Sequence, residues 1–150
     1  MPIISAQDQQ FLRQHLSHEL KKKTKLTLFT QRAGGLTIPG RDCRFCGETQ
    51  QLLEELTSLS DKLELDVRDF YAEADAAREL GVDRIPTILM GKDGHQNLRF
   101  MGIPMGNEFP TVLQDIVSLS QDTNPLPAPI RRRVARIQED IRIQVFVTPT

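Results

Sequence analysis

The sequence predicts an α/β domain with a mixed four-stranded sheet and helices on both faces, followed by a C-terminal helix–strand extension. Three observations carry this. From Lys25 onward, alternating and helically spaced apolar runs follow one another in the order β-α-β-α-β-β-α. Strands joined through helices need parallel crossovers, whereas the short turn at Asp93 and Gly94 needs an antiparallel pair. A proline-rich stretch at 124–129 then separates this pattern from one more helical and one more strand-like segment.

Ser5 and Asp8 resemble a capping box with Asp in the Glu/Gln place, opening a helix that runs to about Lys23 with Leu12, Leu16 and Leu20 on one face. Lys25 to Thr30 reads as a strand in which Leu26, Leu28 and Thr30 alternate with Lys25, Thr27 and Phe29. Gly34, Gly35, Pro39 and Gly40 make residues 31–42 a loop. From Cys43 to about Ser60, Leu52, Leu53, Leu56 and Leu59 define an amphipathic helix. Lys62 to Val67 alternates as a half-buried strand, and Tyr71 to Leu80 is an Ala-rich helix ended by Gly81. Ile85 to Met90 is a strand entered through Pro86, and Asn97 to Met101 pairs back on it across the turn at 91–94. Phe109, Val112, Leu113, Ile116 and Val117 mark a helix beginning near Asn107.

The expected organisation is a domain over 1–121, a stiff linker over 122–129, and a helix–strand segment over 130–150. The last segment echoes the start of the chain. Lys25, Leu26, Thr27, Leu28 and Phe29 match Arg142, Ile143, Gln144, Val145 and Phe146 in character, and each run follows a helix. The tail therefore reads as the opening of a second, truncated copy of the domain. Its strand, Ile141 to Val147, is expected to extend the first sheet at an edge or to pair with a second chain in a dimer.

Composition bounds the function. Of 150 residues, 39% are hydrophobic and 26% charged, an ordinary globular balance at a length that supports a core without staples. Nineteen basic against twenty acidic residues give a formal charge of −1. That offers no electrostatic case for nucleic acid or an anionic membrane. No apolar run reaches the roughly 20 residues of a membrane helix, and the polar start lacks the features of a signal peptide. The expected location is the cytoplasm, where a cysteine pair is more often catalytic or metal-binding than structural.

Cys43 and Cys46 are the only cysteines. Two cysteines placed at random in a chain of this length fall three apart only about 1% of the time. They follow a strand and loop and open a helix, whose free first-turn N–H groups stabilise a thiolate. Arg44 adds positive charge, while a carboxylate at Asp42 opposes thiolate formation. Cys43, at the helix terminus, is expected to be the exposed nucleophile, and Cys46, one turn inward, the resolving thiol. The bland alternative is a pair of small apolar core residues, disfavoured by the polar turn of Gly40, Arg41, Asp42 and Arg44. A metal site needs more ligands than one Cys pair supplies, and His15 and His18 lie on a helix predicted to be elsewhere. His95, next to the hairpin turn, carries no signal. No resident metal is expected. Ile85, Pro86 and Thr87 form a second element, which local sequence alone explains as an ordinary strand start.

The strand, the Cys43-Arg44-Phe45-Cys46 helix and the run from Val82 to Thr87 together resemble the thioredoxin superfamily. The runs at 100–109 and 141–150 resemble more narrowly the protein disulfide oxidoreductases, or glutaredoxin-like proteins, which carry two thioredoxin-like units in tandem. The resemblance implies a thioredoxin-like fold and a cis Pro86 against the cysteine pair. It also implies a peptide-pairing role for the backbone of Ile85, and substrate contact through Arg44 and Phe45. It implies exchange of disulfides with protein dithiol or disulfide substrates, recharging by a reductant, and no cofactor beyond the Cys43–Cys46 disulfide. The loop at 31–42 is longer than the family's usual turn. The family's buried acid has no clear match, with Asp42 and Glu48 the nearest candidates. Two rival functions remain: a non-catalytic docking module with an inert pair, and a metal or iron–sulfur protein using the pair across a dimer.

Overall fold

The computed structural model describes residues 1–31, 42–92, 95–124 and 126–145. Its frame is β1 (Thr24–Thr30), which is hydrogen-bonded on both sides. On one side β2 (Leu63–Asp69) runs parallel, with Thr24 opposite Leu63 and Thr30 opposite Asp69. On the other, β3 (Thr87–Lys92) runs antiparallel with Leu28 opposite Ile88, and β4 (His95–Met101) pairs antiparallel beyond it. The order β2-β1-β3-β4 is the mixed four-stranded sheet that two crossovers and one hairpin require.

The remaining elements are α1 (Ala6–Glu19), α2 (Cys46–Thr57), α3 (Ala74–Glu79), α4 (Glu108–Gln121) and α5 (Ala128–Val134). Leu12 and Leu16 of α1, Leu53 and Leu56 of α2, and Val112 and Ile116 of α4 form one cluster with Leu26, Leu28, Ile88 and Met90 of the sheet. Phe29 and Leu89 face the opposite way, onto Ala77 of α3 and Val82. Helices thus cover both faces. The alternation in β1 therefore sorts residues between two cores rather than between core and solvent, and Leu26, Leu28 and Phe29 are all 0% exposed. Each such side chain contributes about 1.5–3 kcal/mol of burial.

Element ends differ from the sequence expectation for identifiable reasons. The first helix stops at Glu19 rather than near Lys23. Leu20 is extended, and the N–H groups of Lys21 and Lys22 donate instead to Oγ of the buried Ser120 on α4, each at 2.9 Å. The third helix begins at Ala74 rather than Tyr71 because the Asp69 carboxylate accepts the N–H groups of Tyr71 and Ala72, holding a turn there. Gly81 ends it with φ of +65°. The third strand begins after Pro86, which has no N–H to give the ladder. The tip of the expected hairpin turn, residues 93 and 94, lies outside the described residues, as does most of the loop at 31–42.

The tail departs most. A helix forms over α5 with Pro127 as its N-cap, and it ends at Val134, well before the expected strand from Ile141. Its Ile130 and Val134 are exposed, so no packed face lengthens it. The expected strand at 141–147 is not formed over 141–145, where Ile141, Ile143 and Val145 are 61%, 81% and 78% exposed; 146 and 147 lie outside the described residues. Extension of the sheet edge by this segment is therefore not seen, because no strand of the described residues meets it.

The N-terminal segment is fastened to α2. Glu55 accepts the N–H groups of Ile3 and Ile4 at 2.8–3.0 Å, and Gln51 donates to the Met1 carbonyl at 2.7 Å. No helix among the described residues is long and apolar enough to cross a membrane.

Candidate active site

The second helix starts at Cys46, three residues later than the sequence pattern suggests, and Arg44 and Phe45 form a turn ahead of it. Phe45 is the N-cap, with φ −110° and ψ 6°, and its side chain makes no capping hydrogen bond. Thr49, fully buried, ties the turn down: its hydroxyl donates to the Phe45 carbonyl at 2.6 Å and its N–H to the same oxygen at 3.0 Å. Cys43 therefore precedes the helix, and Cys46 is its first residue. A helix start whose N-cap side chain makes no capping bond can offer first-turn N–H groups to a negatively charged sulfur.

Cys43 and Cys46 are joined as a disulfide, their Cα atoms 5.4 Å apart. Cys43 is half-buried, whereas Cys46 is 3% exposed. The Arg44 guanidinium lies 5.1 Å from the centre of the Phe45 ring, which is 43% exposed. A cationic and aromatic flank thus stands in solvent between the two cysteines.

The end of β1 meets the pair from below. The Thr30 hydroxyl, 0% exposed, donates to the Cys46 carbonyl at 3.5 Å, and the Gln31 backbone N–H donates to the Cys46 sulfur at 3.4 Å. Neither residue stood out in the sequence. Thr30 looked like one more strand position, and a backbone donor leaves no mark in side-chain identity.

Ile85–Pro86 is a cis peptide, as the resemblance implied. Thr87 stands opposite Phe29, so the register brings Pro86 to the level of Thr30, whose hydroxyl reaches Cys46. Two more bonds hold the proline: Gly102 donates its N–H to the Pro86 carbonyl at 2.9 Å, and the Thr87 hydroxyl donates to the Arg84 carbonyl at 2.7 Å. Ile85 is half-buried against the Phe29 and Leu89 cluster. Beside it, exposed Arg84 forks onto Asp83 with two bonds of 2.9 Å; this holds the Asp83 carboxyl below its usual range and raises Arg84. Asp42 and Glu48, the nearest acids in sequence, are both exposed, unlike the buried Cys46. His15 stacks on Phe11 of α1, ring centres 6.0 Å apart. Among the described residues no group of three or more His, Cys, Asp or Glu side chains is arranged to hold a metal ion.

No family model matches this sequence. The AhpF component of the alkyl hydroperoxide reductase of Xanthomonas campestris pv. phaseoli is 29% identical over 132 residues, covering 83% of this chain and 22% of that protein. A protein disulfide oxidoreductase from Aeropyrum pernix superposes with a TM-score of 0.74 at 22% identity, over 89% of this chain and 55% of that one. A thioredoxin variant from Halobacterium salinarum superposes with a TM-score of 0.50 at 18% identity, over 69% of this chain and 80% of that one. This is a thioredoxin-like fold. The AhpF protein of Enterococcus faecalis matches it as well, with a TM-score of 0.70 at 21% identity over 88% of this chain and 60% of that one. The chain thus spans 22% of its curated relative and 55% and 60% of the two longer structural neighbours, so the thioredoxin-like unit is what they share.

Proposed function

We propose that this domain is a thiol–disulfide oxidoreductase that exchanges disulfides with protein substrates through Cys43 and Cys46. The observation that carries the reading is the asymmetry of the pair: a half-buried Cys43 just ahead of a helix, and a buried Cys46 as its first residue. In the reduced domain, the Cys43 thiolate attacks one sulfur of a substrate disulfide and expels the other as a thiolate. Cys46, deprotonated, then attacks the Cys43 sulfur, closes the Cys43–Cys46 bond and releases the second substrate sulfur. Two electrons pass to the substrate, and a dithiol reductant, itself oxidised to a disulfide, supplies two others to the domain. The chemistry uses two sulfurs of the chain and calls for no bound cofactor.

Arg44 and Phe45 are the proposed contacts on one side of Cys43, and the backbone of Ile85 with Pro86 those on the other. The proposed setting is the cytoplasm, where such pairs work in the reducing direction. We further propose that 1–121 is the working unit, 122–129 a linker, and 130–150 the opening of a second unit of the same kind. The echo of Lys25 to Phe29 in Arg142 to Phe146 supports this, as does the uncovered apolar side of Ile141, Ile143 and Val145. That side is suited to pair with a further strand, including one from a second chain.

Turnover tests the function: the reduced domain should accelerate reduction of a protein disulfide such as insulin by dithiothreitol. Cys43→Ser and Cys46→Ser should each abolish the acceleration. A rate equal to the uncatalysed one in the unaltered protein would refute the reading.

A further inference from the structure

We propose that the end of β1 is a thiolate cradle for Cys46, in which the backbone N–H of Gln31 stabilises the sulfur whenever it carries negative charge. This rests on the proposed exchange reaction and assigns the half of it that the helix start does not explain. A first-turn site favours charge on the sulfur ahead of the helix, Cys43. Cys46 is buried, at 3% exposure. Burial disfavours a thiolate because the charge is cut off from water. Yet both directions of the reaction put charge there. When an external thiolate attacks Cys43, the Cys43–Cys46 bond breaks and its electron pair leaves on the Cys46 sulfur. When a mixed disulfide resolves, that same sulfur must be deprotonated to attack Cys43.

Among the described residues, the donor on that atom is the Gln31 N–H, with nitrogen 3.4 Å from the sulfur, an ordinary length for a hydrogen bond to sulfur. It is a main-chain group at the end of a central strand and does not rotate away as a side chain would. The strand end is held on both sides. The Thr30 carbonyl accepts the Phe70 N–H at 2.9 Å, and the Thr30 hydroxyl donates to the Cys46 carbonyl at 3.5 Å. Donor and sulfur are thus fixed relative to each other before charge develops, the condition under which a dipole stabilises charge without reorganising. The two thiolates of the cycle are stabilised by different elements: Cys43 by the start of α2, Cys46 by the end of β1.

The test reads the Cys46 thiol directly in the Cys43→Ser protein, where it is the only cysteine. Its pKa is measured from the pH dependence of iodoacetamide alkylation. In that background Gln31→Pro removes the N–H, and Gln31→Ala, which keeps it, is the reference. Where proline disturbs the strand end, replacing the residue-31 amide by an ester deletes the same N–H without a ring. Loss of the donor is expected to raise the Cys46 pKa by about one unit or more relative to Gln31→Ala. In the protein with both cysteines it should slow resolution of a mixed disulfide about threefold, the tenfold loss of thiolate being partly offset by a more nucleophilic sulfur. An ester variant with the same pKa as Gln31→Ala would overturn the cradle. The titration is independent of turnover: absence of disulfide exchange in the unaltered protein refutes the proposed function, whereas exchange without the pKa shift refutes only the cradle.

Discussion

Two five-residue runs with nearly the same pattern meet opposite fates. Lys25 to Phe29 becomes the central strand, with Leu26, Leu28 and Phe29 at 0% exposure. Its echo at 142–146 forms no strand over its described residues, and Ile143 and Val145 are 81% and 78% exposed. The local code is alike, so it is not what buries β1. What differs is supply. The first run has β2 and β3 on its two edges and helices over both faces. Alternation specifies which residues share a face, but a strand becomes stable only when other elements arrive to cover it.

The sharpest way to break this comparison is to truncate equivalent residues in the two runs. Leu26→Ala, at a residue that is 0% exposed, should lower stability by about 2–5 kcal/mol in urea unfolding. Ile143→Ala should stay within about 0.5 kcal/mol. A tail effect that grows with protein concentration would instead show that a second chain covers Ile143 in solution.

A smaller effect is expected where the folded part is stitched by polar groups. Ser120, 1% exposed, accepts the N–H groups of Lys21 and Lys22 and donates to the Lys22 carbonyl at 2.7 Å. Ser120→Ala leaves those groups without the hydroxyl and should cost about 1–3 kcal/mol in the same urea assay.

Glu55→Gln should cost about 1 kcal/mol, because the site is partly open to solvent. The N–H of Ile4, followed by those of Ile3 and the Gln51 amide, holds the Glu55 carboxyl below its usual 4.5, against the opposing effect of burial. A depressed carboxyl contributes stability that is fully present above the unfolded value and lost as pH falls through the folded one. The gap between unaltered protein and Glu55→Gln should thus be constant from neutral pH to about 4.5 and shrink below it. Asp115 works in the other sense. Burial raises its pKa, so its protonation on acidification favours the folded state. Urea midpoints at several pH values separate the two.

The sheet, its helices and the cysteine motif were legible in the sequence because each rests on local patterning: Leu spacing in α2, alternation in β1 and β2, and a cysteine pair close to a helix start. What escaped depends on groups far apart in the chain or on the backbone itself. Nothing near Lys21 announces that its N–H will meet Ser120, 99 residues on. Nothing in the glutamine at 31 announces that its main-chain N–H will lie on Cys46. The turn of Arg44 and Phe45 that moves Cys43 ahead of the helix is likewise fixed by Thr49 reaching back to Phe45. In the tail the alternating pattern forms no strand over 141–145, because pattern alone does not supply a partner.

The central claim is that Cys43 attacks and Cys46 resolves, and trapping tests it most directly. Each single Cys→Ser protein is mixed with a protein disulfide, quenched with acid and alkylated, and covalent complexes are counted on non-reducing gels and located by mass spectrometry. Cys46→Ser is expected to accumulate a mixed disulfide through Cys43, because the thiol that would release it is gone. Cys43→Ser, left with Cys46, a residue that is 3% exposed, is expected to yield almost none. Equal trapping by the two variants, or more by Cys43→Ser, would contradict the account.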